Sequence, residues 1–158
     1  MRTHLTIPLL EANPFLVFPE AVGRYRQEPD HRTDREADSF PYFNLHYVKS
    51  GEGFVELDGQ WYSVRAGDAF LYFPHQPQKY HTSEHDPWDV FWMHFYGDRL
   101  AESLTEQGFR RSVLWSVRQE DALETAMRQL IREADNRKLF DSATLSTAAY
   151  GVCAAFIV

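Results

Sequence analysis

Between Phe43 and Phe95 the chain is cut into short aromatic and aliphatic runs by turn signals at close, even spacing. Phe43–Lys49 stops at Ser50-Gly51-Glu52-Gly53, and Phe54–Leu57 stops at Asp58-Gly59. Gln60–Val64 runs into Ala66-Gly67-Asp68, Ala69–Phe73 into Pro74 and a polar loop, and Val90–Tyr96 closes the set. Strands this short and evenly placed suggest an all-β sandwich or a small barrel. Asp58-Gly59 predicts a hairpin with a type I′ turn, because both central residues of that turn need φ > 0.

Strand alternation sorts the candidate inner residues. Asn44, His46 and Val48 share one face, and Phe43, Leu45 and Tyr47 share the other. Val90, Trp92, His94 and Tyr96 share one face of the last run, and Phe91, Met93 and Phe95 the other. Both faces are partly apolar, so hydrophobicity alone does not say which turns inward.

Composition limits the function. The share of aromatic residues is 15%, concentrated between Tyr42 and Tyr96, and an aromatic-lined barrel can stack on a flat or sugar-like ligand. A net charge of −7 without clustered Lys and Arg argues against nucleic-acid binding by this chain itself. The single cysteine, Cys153, excludes an internal disulfide and a multi-Cys metal site and fits a reducing cytoplasm. No apolar run approaches a membrane span, and no signal-peptide pattern opens the chain. No G-x-S-x-G element, no paired acid and base and no phosphate-binding Gly-rich loop stands out, so no catalytic group and no cofactor is called for.

In chain order, Pro8, Pro14 and Pro19 break any early helix, and Pro8-Leu9-Leu10 suggests an arm lying on the barrel. Ala21–Arg26 reads as a strand, and the charged stretch Gln27–Ser39, with Arg32 and Arg35, as a loop or edge strand. Pro74–Asp89 reads as a polar excursion containing His75, His81 and His85. After Gly97 the period becomes helical. Asp98–Gln107 has Asp98 as N-cap and Gly108 as C-cap, and Val117–Arg137 carries Leu123, Met127, Leu130, Ile131 and Ala134 on one stripe. Asp141 or Ser142 caps a further helix through Val158. The division expected is a barrel with its arm over 1–97 and a helical segment over 98–158.

Four stretches carry a family resemblance: LHYVKSGEG at Leu45–Gly53, AGDAFLYFP at Ala66–Pro74, DPWDVFWMHFYG at Asp86–Gly97, and the helices that follow. The sequence resembles the N-terminal effector-binding cupin domain of AraC/XylS-type transcriptional regulators, from about Arg24 to Ile157. The resemblance implies a mainly β fold with C-terminal α: a cupin-like double-stranded β-helix, or jelly-roll barrel, followed by two or three helices. It implies a small-molecule effector, a homodimer through the C-terminal helices, and DNA contact only through helix-turn-helix units that lie beyond this sequence.

The resemblance also nominates site residues. Trp92 matches a tryptophan that stacks on the sugar in the arabinose regulator of this family. Tyr80 matches a pocket tyrosine, Arg35 lies near the pocket arginine, and Pro8 corresponds to an arm position that closes over the ligand. Val90 stands where that family member has a histidine, which implies a ligand other than arabinose, with His46, His81 or His94 supplying the lost donor. Metal-binding cupins place His and Glu on the first motif and His on the second; here Asn44 and Lys79 occupy two of those places, so no metal is expected. The reading is a sugar-sensing module of a transcription factor. The alternative is a metal-dependent cupin enzyme, a sugar isomerase or a dioxygenase.

Overall fold

The computed structural model describes residues 1–8, 17–136 and 141–158. Thirteen elements follow in chain order among these residues: β1 (Arg2–Thr6), β2 (Phe18–Arg26), β3 (Arg32–Arg35), β4 (Phe43–Ser50), β5 (Glu52–Leu57), β6 (Gln60–Arg65), β7 (Asp68–Tyr72), β8 (Gln78–Thr82), β9 (Asp89–Tyr96), α1 (Leu100–Glu106), β10 (Leu114–Ser116), α2 (Glu120–Asp135) and α3 (Ser142–Ile157). Two antiparallel sheets face each other as a jelly-roll barrel of cupin type. One has the order β1-β2-β9-β4-β7-β10, the other β3-β8-β5-β6.

The predicted hairpin joins β5 to β6, with Leu57 opposite Gln60. Asp58 and Gly59 have φ of 51° and 80°, the pair of positive values a type I′ turn requires. β8 lies within the stretch read as a polar excursion, and β1 and β10 were likewise unforeseen. Sequence patterning passes over β8 because its inward positions, Gln78 and Thr82, are polar although buried.

The central strands of the six-stranded sheet, β2, β9, β4 and β7, are buried on both faces, which explains why β4 and β9 are apolar on both. Leu45, Leu71, Phe91 and Met93 on its outer face pack with Leu123, Met127 and Leu130 of α2 and Leu145, Ala149 and Val152 of α3. Val48, Phe70, Tyr80, Val90 and Trp92 turn into the barrel. The face carrying Asn44, His46 and Val48 is therefore the inner one.

Polar contacts fix α2 against the sheet. The Tyr47 hydroxyl donates to Glu120 Oε2 at 3.1 Å, and Lys49 Nζ donates to Glu124 Oε1. Burial and the Glu120 carboxylate push the Tyr47 phenol well above its ordinary value. Beside them the buried Arg24 makes two hydrogen bonds to Asp89, Nε to Oδ1 at 2.8 Å and Nη2 to Oδ2 at 2.6 Å.

Helix limits shift slightly from the sequence reading. α1 has Arg99, not Asp98, as N-cap, and Gly108 takes φ of 90° just past its end. α2 starts at Glu120 because Val117 N–H is taken by Gly67 C=O as β10 ends. Asp141 caps α3 as expected, accepting from Ala143 N–H at 3.0 Å and from Thr144 Oγ1 at 2.9 Å. Leu9, Leu10, Pro14 and Arg137 lie outside the described residues. No helix among the described residues is long and apolar enough to cross a membrane.

Candidate functional site

Strand register assembles the inner face of the large sheet in two rows. His4, Gly23, Trp92, His46 and Phe70 lie side by side on five adjacent strands. The next row holds Thr6, Ala21, His94, Asn44 and Tyr72. Facing them on the small sheet, β8 turns Gln78, Tyr80 and Thr82 inward, and Arg35 sits opposite Gln78 on β3.

Rings pack tightly in the first row. The His46 imidazole stacks on Phe70 at 4.6 Å between centroids, and Trp92 meets His94 and His4 at 4.7 Å each. His31, from the loop before β3, lies 5.9 Å from the His46 ring. Trp88 Nε1 donates to His31 Nδ1 at 3.0 Å, so neutral His31 carries its proton on Nε2.

Burial makes these histidines neutral. It lowers His31 to about 4, with Arg2 and Arg35 adding to the effect. Burial drives His46 well below its ordinary value, and the neighbouring His31, His94 and Arg35 act in the same direction. His94 is lowered by burial despite Glu20, whose Oε2 lies 3.4 Å from His94 Nδ1. The register shift between Pro19 and Ala21 is what inserts Glu20 there. A neutral imidazole offers one donor and one acceptor.

Five buried side-chain atoms lack a hydrogen-bond partner of good geometry among the described residues: Asn44 Oδ1, His46 Nδ1, Gln78 Nε2, Trp92 Nε1 and Tyr72 OH, the last lying close to the Lys79 backbone. All five belong to inward-facing residues of the barrel. Leaving a buried polar group unpaired costs about 1–3 kcal/mol, so these atoms make the barrel interior the candidate site.

The structure brings together Trp92, His46, His94 and Tyr80, with Arg35 at the rim, its Nη1 2.8 Å from Gln78 Oε1. His81 and Pro8 stand apart. His81 follows Tyr80 on β8 and so points outward, packing on Phe54 and Trp61 at 5.3 and 5.0 Å. Lys79 is also outward, paired with Glu56 at 3.2 Å. Pro8 is exposed beyond the end of β1, and among the described residues before β2 the His4 ring lies against Trp92. Sequence reasoning did not nominate Asn44, Gln78, Tyr72, His31, His4 or Glu20 as ligand-binding residues. Period-2 alternation from His46 and Tyr80 was the signal that leads to Asn44 and Gln78. Among the described residues no group of three or more His, Cys, Asp or Glu side chains converges as a metal site requires.

A β-barrel with a polar, aromatic-walled interior, backed by two C-terminal helices, defines a small-molecule-binding domain of cupin type. The chain belongs to the family of the AraC-like ligand binding domain, whose profile matches residues 18–152. It is 29% identical over 119 residues to the MmsAB operon regulatory protein of Pseudomonas aeruginosa, an alignment covering 73% of this chain and 38% of that protein. The chain thus spans about two fifths of the length of the curated relative it matches. Among solved structures, the AraC-like transcriptional activator CuxR aligns with a TM-score of 0.52 at 13% identity, over 87% of this chain and 48% of that one. Apo ToxT from Vibrio cholerae aligns with a TM-score of 0.51 at 14% identity, over 94% of this chain and 61% of that one. At these identities the two structures support the fold.

Proposed function

We propose that this is the effector-sensing and dimerisation domain of an AraC-type transcription regulator, and that its effector is a carbohydrate bound inside the barrel. The observation that carries the reading is the set of five unpartnered polar atoms on inward-facing residues. They include donors (Gln78 Nε2, Trp92 Nε1), an acceptor (Asn44 Oδ1) and groups able to act as either. A sugar presents hydroxyls that donate and accept, and C–H faces that pack on the Trp92 and Tyr80 rings. With the interior histidines neutral, the charged groups beside the site are Arg35, which is engaged with Gln78, and Glu20, which is engaged with His94.

Binding is coupled to the helices through β9. Trp92 faces the barrel interior, while its neighbour Phe91 lies on the other face beneath the Arg24 and Arg128 guanidiniums, 4.6 and 5.3 Å from its ring centroid. A shift of β9 on ligand binding therefore moves the surface on which α2 rests. α3 carries no charged residue, and its exposed side shows Thr147 and Tyr150, a surface suited to a second copy of the chain. DNA contact belongs to a part of the regulator outside this sequence, consistent with the net charge of −7 here.

A thermal-shift screen against neutral monosaccharides, with a chelator control, tests this. A sugar at 100 times its dissociation constant stabilises by about 2.7 kcal/mol. The expected result is a selective, chelator-insensitive rise in melting temperature. No rise with any sugar, together with a fall on chelation, contradicts the reading.

A further inference from the structure

The chain of hydrogen bonds from Arg35 into the barrel has only one possible direction. A guanidinium donates and never accepts. The Gln78 atom 2.8 Å from Arg35 Nη1 must therefore be Oε1, which turns Nε2 the other way. The same Oε1 lies 2.8 Å from the Asn44 amide, so the Asn44 atom there must be Nδ2 and Oδ1 is turned away. The second Nδ2 proton goes to the Tyr80 hydroxyl at 3.1 Å. Arg35 is itself held by the Phe40 ring, 4.0 Å beneath its guanidinium. At the end of this relay, on two side chains with no solvent exposure, stand one unpartnered donor and one unpartnered acceptor.

We propose that Arg35 is a positioning residue: by donating to Gln78 it locks both buried amides in one orientation, so that the barrel presents Gln78 Nε2 as a donor and Asn44 Oδ1 as an acceptor and selects hydroxyl-bearing ligands over acids and amines. The ligand half rests on reading the barrel interior as the effector site. Hydroxyls satisfy both free atoms, because each can donate and accept. A carboxylate, which only accepts, sets an oxygen against Asn44 Oδ1. An ammonium group, which only donates, sets a proton against Gln78 Nε2. Without Arg35 the two amides can turn over together, and the discrimination fades.

The test uses the ¹⁵N-labelled chain and two readouts. The first needs no ligand: the side-chain amide resonances of Asn44 and Gln78. They are expected to shift and broaden in Arg35→Met and to keep the wild-type pattern in Arg35→Lys, since lysine also only donates. The second is calorimetric titration with D-glucose, D-galactose and L-arabinose against D-glucuronate, D-galacturonate and D-glucosamine. The wild-type chain is expected to prefer a neutral sugar over its matched acid and amine by about tenfold or more, and Arg35→Met to reduce that preference to a few-fold. Gln78→Glu, whose carboxylate still accepts from Arg35 and Asn44, is expected to stay folded and lose neutral-sugar binding. Unchanged amide resonances in Arg35→Met overturn the positioning role, whatever binds. Unchanged selectivity in Arg35→Met overturns the specificity role while leaving the carbohydrate reading intact. No binding of any neutral sugar by the wild-type chain overturns that reading and the ligand half with it, and the amide resonances still decide the role of Arg35.

Discussion

Gly23 and Trp92 lie opposite each other on β2 and β9, and a methyl group on Gly23 would sit 2.6 Å from Trp92 Cζ2 and 2.2 Å from the Thr3 carbonyl oxygen. The missing side chain lets the indole lie flat across β2 with His4 edge-on beyond it. Gly23→Ala is expected to displace both the indole and β1. Overpacking of this kind costs about 1–3 kcal/mol. The check is denaturant unfolding together with the ¹⁹F spectrum of fluorotryptophan-labelled protein, in which the Trp92 signal should move; an unchanged spectrum contradicts the close approach.

The Arg24–Asp89 pair is nearly buried, with about 10% of each side chain exposed. Asp89→Ala leaves the guanidinium without the partner of its two short bonds, an outcome that costs about 3–5 kcal/mol. Replacing both residues with leucine removes the stranded charge and should recover most of the loss. A double-mutant cycle by urea unfolding measures this; additive losses would mean that the pair does not act as a unit.

Acid should destabilise the fold through His31. This imidazole titrates near 6.5 when unfolded and at about 4 in the fold, because it is buried and lies near Arg2 and Arg35. The unfolded chain binds more protons between those values, so the stability contribution is complete above pH 6.5 and is lost as pH falls towards 4. The loss from this residue amounts to about 3 kcal/mol at most. His46 and His94 shift in the same direction. His31→Gln, which keeps an acceptor for Trp88 Nε1, should flatten the slope of stability against pH between neutrality and pH 5. An unchanged slope contradicts the assignment.

The proposed dimerisation through α3 has its own check. Thr147 is exposed and Tyr150 is 63% exposed on a helix without charge. Thr147→Glu is expected to convert a dimer to monomer in sedimentation equilibrium without lowering the melting temperature of the barrel. A wild-type chain that is monomeric at high concentration contradicts this interface.

What the sequence disclosed follows from which forces act locally. The β5–β6 hairpin was legible because Asp58-Gly59 fixes the turn by backbone sterics alone, and the start of α3 because Asp141 caps it within a single turn. β8 was hidden because polar residues fill its buried positions: Gln78 and Thr82 stand where an ordinary strand would carry apolar residues, paired there with Arg35 and Asn44 and with the Trp88 backbone. Trp92 and His46 stood out as an aromatic and a histidine on strands. Asn44 and Gln78 did not, since an amide acquires its role only when a third residue, Arg35, dictates its orientation. Which arm residue reaches the barrel depends on the β1–β2 register, a long-range pairing that places His4 beside Gly23 and leaves Pro8 exposed.

The central claim is that a sugar binds inside the barrel against Trp92, and the indole N–H resonance of that residue reports on it directly. Trp92 Nε1 has no partner among the described residues, so a ligand hydroxyl that accepts from it must shift its ¹H and ¹⁵N frequencies. Titration of the ¹⁵N-labelled chain with the sugars that raise its melting temperature is predicted to move this resonance saturably, with the other three indoles less affected. Trp92→Phe, which keeps the ring stacking but removes the donor, should weaken the same sugar about tenfold. A sugar that stabilises the chain while leaving the Trp92 indole unmoved, or an affinity unchanged in a folded Trp92→Phe variant, would contradict the account.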